Sequence, residues 1–304
     1  MRKLHIAVIF ITLLTMLSAA ACGAQSGSTE EGSDHTQTAP LTGSAKDFER
    51  AKFDDPTHID NKWLPLRPGT QFVYQGSAIV DEEGRQTRRV VTTVTDLSKV
   101  IDGVRTLVIW ERDYTAGELS EPELAFFAQD KAGNVWLLGE YPEEYENGKF
   151  DKAPAWISGQ NGARAGITML AEPQLGTPDY AQGFAPPPVD FTDRARVYKT
   201  HQKSCTPVEC YKNVLMTEEF NPDEPGSSQL KYYALGVGNV RVGWRGEKEK
   251  EKETLELVEL NDLSPEALAK VRKKALEMDQ RAYERSSEVY RETPQAEHTL
   301  RVGQ

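Results

Sequence analysis

Short runs of β-branched and aromatic residues, separated by Gly, Pro and Asp turns, extend from about Phe53 to Leu260. This pattern is typical of antiparallel strands. Candidate strands lie at residues 71–80, 88–97, 106–114, 123–130, 134–141, 195–202, 212–220, 230–242 and 253–260. No helical pattern alternates with them, which disfavours parallel βαβ units. We therefore predict a mainly β domain over residues 51–262, built as an antiparallel, curved sheet that is half-barrel or barrel-like.

Turn residues indicate how some of these strands connect. Asp130, Gly133 and Asn134 tolerate the positive φ of tight turns and predict a hairpin between the strands at 123–130 and 134–141. Gly236 and Gly238 lie inside the candidate strand at 230–242 and indicate a bulge or a close approach of two backbones.

Residues 141–193 form a loop-rich insertion, because Pro and Gly are spaced too closely there for long strands. Long irregular segments in compact domains are often functional. This one concentrates large side chains, namely Tyr141, Tyr145, Trp156, Met169, Tyr180 and Phe184. They either hold a covering loop against one face of the sheet or form a platform for a ligand.

A C-terminal amphipathic helix is predicted within residues 263–290. Ser264 is a good N-cap, Pro265 suits the first helical position, and Glu266 complements the helix dipole. The apolar positions then follow helical spacing, at Leu268, Val271, Ala275, Met278 and Ala282. We expect this stripe to pack on the β domain, and residues 291–304 to form a polar tail.

The start of the chain is typical of an exported protein. Arg2 and Lys3 precede an apolar run from Ile6 to Leu17 that is too short to span a bilayer. Small residues follow it, as in a secretory signal peptide, so we predict that residues 1–21 are removed. The segment from Cys22 to about Arg50 is rich in Gly, Ser, Thr and acidic residues, and such a segment cannot bury enough apolar surface to fold. Residues 22–50 are therefore predicted to be a disordered tether.

The sequence Ala19-Ala20-Ala21-Cys22 resembles the lipobox of bacterial lipoproteins, although Ala19 stands where leucine is commonest. The resemblance implies that Cys22 is lipidated and becomes the first residue of the mature protein. Its acyl chains, at about 0.8 kcal/mol per buried methylene, would hold the protein on the extracytoplasmic face of the cell membrane. The alternative is ordinary secretion, with Cys22 lost or incidental.

Charge narrows the range of partners. The chain has 36 Lys and Arg against 47 Asp and Glu, a net charge of −11, and losing the signal peptide removes cations only. Nucleic-acid binding requires a clustered cationic surface, so we expect no nucleic-acid partner. An acidic body is also repelled by anionic headgroups, which leaves membrane attachment to the lipid.

The other two cysteines, Cys205 and Cys210, flank a Thr-Pro turn between two candidate strands. Outside the cytoplasm they are expected to form a disulfide that clamps this hairpin. A metal site that adds His201 would lack the four ligands and tighter spacing of structural zinc. A redox role is disfavoured because oxidoreductase motifs have two intervening residues, not four.

Known catalytic and cofactor motifs are absent from the sequence, which has no GxSxG, HExxH, P-loop or GxGxxG pattern. The folded region contains two histidines, His58 and His201. Two acid-rich turns, near Asp54 and Glu219, lack the ligand order of an EF-hand, so turn capping is favoured over calcium. We predict no cofactor, no metal and no enzymatic activity, while noting that carboxylate pairs for acid–base chemistry assemble in space rather than in sequence.

Four strings resemble a widespread family of uncharacterised secreted bacterial proteins that is frequent in actinobacteria. They are WLPLRPGTQFVYQG, AQDKAGNVWLLGEY, AWISGQNGARAGITM and KYYALGVGNVRV, and the resemblance covers roughly residues 53–290. It implies a single domain and an envelope location, without an activity. The predicted curved sheet on a lipid anchor is also similar to half-barrel lipoproteins that shield acyl chains during transport, an analogy of fold only.

Three functions remain open at this point. The first is a non-enzymatic binding or carrier module for an apolar or glycan ligand, with a cavity of several hundred Å³ as a rough expectation. The second is an interaction or scaffolding lipoprotein without a small ligand, and the third is an envelope hydrolase. Under the first, the candidate ligand-binding residues are aromatic: Trp110, Trp136, Tyr141, Trp156, Tyr180 and Phe184. Packing in the core is the alternative role for these side chains.

Overall fold

The computed structural model describes residues 48–80 and 83–299. A 3-10 helix at Arg50–Lys52 precedes strands β1 (Thr70–Val80), β2 (Gly84–Ile101), β3 (Val104–Thr115), β4 (Glu118–Gln129), β5 (Val135–Pro142), β6 (Glu144–Glu146), β7 (Lys149–Lys152), β8 (Trp156–Ile157), β9 (Arg164–Met169), β10 (Tyr180–Ala181), β11 (Gly183–Phe184), β12 (Arg194–Cys205), β13 (Cys210–Phe220), β14 (Ser228–Ala234), β15 (Gly238–Arg245) and β16 (Thr254–Asp262). Helices α1 (Pro265–Arg285) and α2 (Ser287–Tyr290) and strand β17 (Glu297–His298) follow. The predicted signal peptide, Cys22, the tether up to residue 47 and residues 300–304 lie outside the described residues.

One large sheet dominates the fold. Its order is β10-β12-β13-β14-β15-β16-β1-β2-β3-β4-β5-β9-β11, with β8 added to β5 and β17 added to β2, while β6 and β7 form a separate hairpin. Neighbours pair antiparallel, so the predicted fold class is confirmed.

The segment 180–184 nearly closes this sheet into a barrel. Its first half, β10, pairs with β12 through Tyr180 and Ala195, and its second half, β11, pairs with β9 through Gly183 and Ala165. The backbones come so close here that a Cβ on Gly166 would lie 2.3 Å from backbone atoms of the neighbouring segment. Glycine at position 166 is therefore required for the closure.

Side chains alternate between the barrel interior and an outer layer. Along β4, Ala125 and Phe127 pack in the interior core, whereas Leu124, Phe126 and Ala128 belong to a second core outside the barrel. Helix α1 and the segment after it supply the other side of that outer core. Two hydrophobic layers thus share the strands β2–β5.

Helix α1 begins where the sequence predicts, with the Ser264 side chain accepting a hydrogen bond from the backbone N–H of Ala267 at 3.3 Å. Its buried positions include Ala275, Met278 and Ala282 from the predicted stripe. The carboxylate of Asp279, also buried, accepts a hydrogen bond from the Lys99 amine on β2 at 2.9 Å. This buried ion pair ties the helix to the sheet.

Three sequence expectations differ in detail from the structure. The candidate strand at 230–242 is two strands, β14 and β15, because Leu235–Val237 turn the chain between them. The loop-rich insertion contains six short strands, β6 to β11. In the predicted polar tail, Glu297 and His298 pair with Ser98 and Leu97 of β2, so this part extends the sheet.

Candidate functional site: an acidic cluster inside the barrel

Four carboxyl groups face the barrel interior from two neighbouring strands. Glu111 on β3 lies directly opposite Glu123 on β4, and Asp113 lies in the next interior position, beside Glu121. Ile109 packs in the interior core two residues before Glu111, so strand alternation places Glu111 and Asp113 on the same side. Like charges directly opposite each other destabilise an antiparallel pair, so this arrangement is unfavourable unless protons or cations compensate it.

Other strands and loops add further buried acids, which are Glu140, Asp193, Glu219 and Glu253. We call these eight carboxyl groups the acidic cluster. Amide side chains donate hydrogen bonds to three of them. Gln229 donates through Nε2 to Glu253 Oε2 at 3.0 Å, Gln182 donates through Nε2 to Glu219 Oε1 at 3.1 Å, and Asn221 donates through Nδ2 to Asp193 Oδ1 at 3.2 Å.

Two buried cations accompany the cluster, Arg88 and Lys231. Arg88 donates through Nη2 to Asp113 Oδ2 at 3.0 Å, and its Nε lies 3.4 Å from Glu253 Oε1. The Lys231 amine lies 3.9 Å from Glu219 Oε2. Acids therefore outnumber cations strongly in a region screened from water.

Burial sets the protonation of the cluster. It raises the pKa of Glu111 to about 8, helped by repulsion from Glu123 and opposed by a hydrogen bond from Thr92. It raises the pKa of Asp193 to about 8, with a further contribution from Glu219. Desolvation likewise raises the pKa of the other six, which are Asp113, Glu121, Glu123, Glu140, Glu219 and Glu253. Part of the cluster is therefore protonated at neutral pH.

Several acceptors in this region are unsatisfied. Among residues 48–80 and 83–299, no group donates a hydrogen bond to Asp113 Oδ1, Glu123 Oε1, Glu140 Oε1 or Gln229 Oε1, all of which are buried. Buried polar atoms are usually hydrogen-bonded, and each exception calls for a physical explanation.

Trp156 contacts both the acidic cluster and the aromatic ring of Phe191. Its indole Nε1 donates to Glu140 Oε2 at 2.8 Å, and its ring stacks on Phe191 with 5.2 Å between centroids. Of the six aromatic residues named from the sequence, Trp156 is the one whose side chain hydrogen-bonds to the cluster.

Three of the other predicted residues lie in the outer layer. The Trp136 ring contacts Phe48, and its Nε1 donates to Asp130 Oδ2 at 2.8 Å. Tyr141 packs on Tyr290 after helix α1, with ring centroids 5.2 Å apart. Trp110 packs on the same outer core. These side chains secure the helix and the N-terminal segment rather than facing the acidic cluster.

Tyr180 and Phe184 lie at the closure of the barrel. Tyr180 is buried, its pKa is raised by burial and then by Glu219, and its hydroxyl has no hydrogen-bond partner within the described part of the chain. Phe184 is half-buried, with the Arg164 guanidinium 4.6 Å from its ring centroid. The structure thus does not bring the six predicted aromatic residues to one place.

The remaining candidates from the sequence lie apart from the cluster. A disulfide joins Cys205 to Cys210 at the turn between β12 and β13, as their spacing predicts. His58 and His201 are both exposed. Across residues 48–80 and 83–299, no three His, Cys, Asp or Glu side chains are arranged to share a metal ion. None of the helices in those ranges has the length and apolar character needed to cross a bilayer.

Sequence reasoning missed the acidic cluster, although a signal was present. Glu121 and Glu123 share the alternating positions of Ala125 and Phe127 on β4. Extending the alternation of inward-facing positions along the strand to its acidic residues would have placed them inside the barrel.

Comparisons with known proteins give little further information. No family model matches the chain, and no curated protein matches it. Two solved structures resemble it at 12% identity and a TM-score of 0.36. One, from Bacteroides fragilis, is provisionally described as an exported protein with a YmcC-like fold, and the match covers 66% of this chain and 99% of that one. The other, from Parabacteroides distasonis, is provisionally described as a lipoprotein, with 68% and 100% covered. At that TM-score the likeness carries no argument about this chain.

Proposed function

We propose that this protein is a non-enzymatic binding module of the cell envelope, tethered through Cys22, whose ligand is polar and is held by the acidic cluster inside the barrel. The observation that carries the proposal is the excess of buried carboxyl groups over the two cations Arg88 and Lys231. Burying so many ionisable groups costs free energy, whether they carry charge or are held protonated, so such a cluster is more readily explained by a ligand than by stability.

The character of the interior favours one of the two ligand classes considered from the sequence. An apolar ligand would need an apolar cavity, whereas the acidic cluster offers carboxyl and amide acceptors. Carboxylate and amide oxygens accept hydrogen bonds, which the hydroxyls of a sugar can donate. A glycan or another hydrogen-bonding ligand therefore fits this site better than an acyl chain.

A hydrolase is the second candidate, because of one specific observation. Glu111 and Glu123 are paired across two strands, and burial raises the pKa of both, so that at least one stays protonated at neutral pH beside its partner, as the general acid of a carboxylate pair does. Release of reducing ends from cell-wall oligosaccharides, abolished by Glu111→Gln, would favour this activity over simple binding.

Native mass spectrometry of protein purified from its own host tests the proposed function. We expect a co-purified polar molecule in the wild-type protein and its loss in a Glu123→Gln/Glu140→Gln variant. Glu118→Gln, at an exposed position on the same strand β4, is the matched control and should retain the molecule. A bound lipid that persists in all three proteins would contradict the proposal.

A further inference from the structure

The acidic cluster has more acceptors than donors. Arg88 directs its guanidinium at Asp113, Thr115 and Glu253, and the Lys231 amine lies near Glu219. An ionised carboxylate can only accept hydrogen bonds. Two cations cannot neutralise eight carboxylates, so the cluster must either keep protons on part of its acids or take up a further cation.

The unsatisfied oxygens show which chemical groups would complete the site. Asp113 Oδ1, Glu123 Oε1, Glu140 Oε1 and Gln229 Oε1 lie on β3, β4, β5 and β14, and no described residue donates to them. The Gln229 amide oxygen is an acceptor at any pH, the three carboxyl oxygens are acceptors when the acids are ionised, and each of the four residues is more than nine-tenths buried. A molecule that satisfies them must carry several N–H or O–H donors.

These groups lie close together although they come from several strands. Arg88 of β2 contacts both Asp113 of β3 and Glu253, which immediately precedes β16. Glu253 in turn accepts a hydrogen bond from Gln229 of β14 at 3.0 Å. A single small molecule in the interior can therefore contact several strands at once.

From this surplus of buried acceptors we infer that the ligand of the acidic cluster carries at least one cationic nitrogen, an ammonium or a guanidinium group. The inference rests on the proposed function and specifies its ligand class. An ammonium supplies three donors and a guanidinium five, and the positive charge of either one allows the carboxyl groups that it contacts to ionise, which a neutral sugar does not.

Binding of a cationic ligand is also expected to change the protonation of the cluster. Its charge favours the ionised form of the carboxyl groups that it contacts, so binding should release protons from the cluster. The charged and titratable groups concerned are Arg88, Glu111, Asp113, Glu121, Glu123, Glu140, Asp193, Glu219, Lys231 and Glu253, with the hydroxyls of Tyr74, Tyr180 and Tyr233. A neutral ligand would release few protons or none.

Calorimetric titration of the full mature chain with matched probes tests the inference. The probes are 1,4-diaminobutane, the glucosamine dimer chitobiose, and N,N′-diacetylchitobiose, in which amides replace the amino groups. We expect the two amines to bind with proton release, measured as a dependence of the heat on the buffer, and the diacetyl dimer not to bind. Glu123→Gln and Glu140→Gln should each weaken amine binding by about tenfold or more, and Glu118→Gln should leave it unchanged.

The other outcomes separate the inference from the proposed function. Binding of the diacetyl dimer without binding of the amines overturns the cationic ligand and leaves a polar-binding module standing. A different result also overturns the inference: calcium ions bind, Glu123→Gln weakens their binding, and the amines do not bind. The site would then bind a metal ion. If neither amine binds, the inference fails, and if the protein also binds no diacetyl dimer and carries no molecule from its host, the proposed function fails with it.

Discussion

Glu111 and Glu123 face each other across strands β3 and β4, with both side chains turned into the barrel and screened from solvent. Two carboxylates so placed do not both ionise readily, because each disfavours the charge on the other and neither is solvated by water. The pair therefore titrates as a unit, and the same reasoning extends to the rest of the acidic cluster.

The first prediction concerns pH. Glu111 and Asp193 have pKa values of about 8 in the folded protein, raised mainly by burial, and ordinary values near 4 once unfolded. Between about pH 4 and pH 8 the folded state thus binds more protons, and the free energy of unfolding falls as pH rises, by up to about 1.4 kcal/mol per pH unit for each group. Urea unfolding across this range should show the decline. It should be shallower in Glu111→Gln and unchanged in Glu118→Gln, and stability that rises with pH would refute the prediction.

The buried pair between Lys99 and Asp279 gives a second prediction. Burial lowers the pKa of Lys99, although Asp279 opposes the shift, and the amine also donates to the Tyr283 hydroxyl at 2.9 Å. Lys99→Met leaves Asp279 buried without its cation and should lower the free energy of unfolding by about 3–5 kcal/mol. Adding Asp279→Asn should recover part of the loss.

Lys274→Met is the control for that experiment, since Lys274 forms an exposed pair with Glu277 on the same helix. Ion pairs exposed to solvent contribute little to stability, so denaturant unfolding should barely change. Equal losses in Lys99→Met and Lys274→Met would mean that the buried pair does not hold α1 to the sheet.

A third prediction addresses the disulfide. Replacing both Cys205 and Cys210 by Ser should cost about 2 kcal/mol, because the closed loop is small and little chain entropy is lost on cross-linking. Thermal unfolding with and without reductant checks the magnitude. Mass spectrometry of non-reduced peptides checks the linkage itself, and two free thiols in exported protein would contradict it.

Closure of the barrel supplies a fourth prediction. Gly166→Ala places a Cβ against the backbone of the segment 180–184 and should destabilise the protein by about 2 kcal/mol or more. Gly243→Ala on β15 is the matched control, because its Cβ would meet the Tyr232 side chain at an ordinary 3.6 Å. Comparable, small effects of the two substitutions on denaturant midpoints would argue against the tight contact at residue 166.

The proposed anchor gives the fifth prediction. Cys22→Ser removes the thiol that would carry the acyl chains and should release the protein from the membrane fraction into the soluble envelope fraction or the medium. Fractionation and immunoblotting of the host check this. Continued membrane retention of the variant would require a different anchor.

Strand alternation allowed most of the fold to be predicted. The candidate strands at 71–80 and 253–260 match β1 and β16 closely, and the helix begins at Pro265 as its cap indicates. Closure through residues 180–184 was not predictable, because strands of two residues carry no periodic signal. The pairing of residues 297–298 with β2 was missed for the same reason.

The candidate site was harder to predict than the fold. Large aromatic residues are natural candidates for ligand contacts, yet Trp136 and Tyr141 pack in the outer layer under the N-terminal segment and the helix. Acidic side chains on a strand are normally expected to face solvent. Glu121 and Glu123 violate that expectation, and only the nearly closed barrel shows that both faces of β4 are covered.

The most direct test of the central claim is a crystal structure of the protein purified from its own host at neutral pH. We predict density for a molecule other than water within hydrogen-bond distance of Asp113, Glu123 and Glu140, with a nitrogen among its contacting atoms. An interior in which these carboxyl groups hydrogen-bond only to one another, with no bound molecule, would contradict the account.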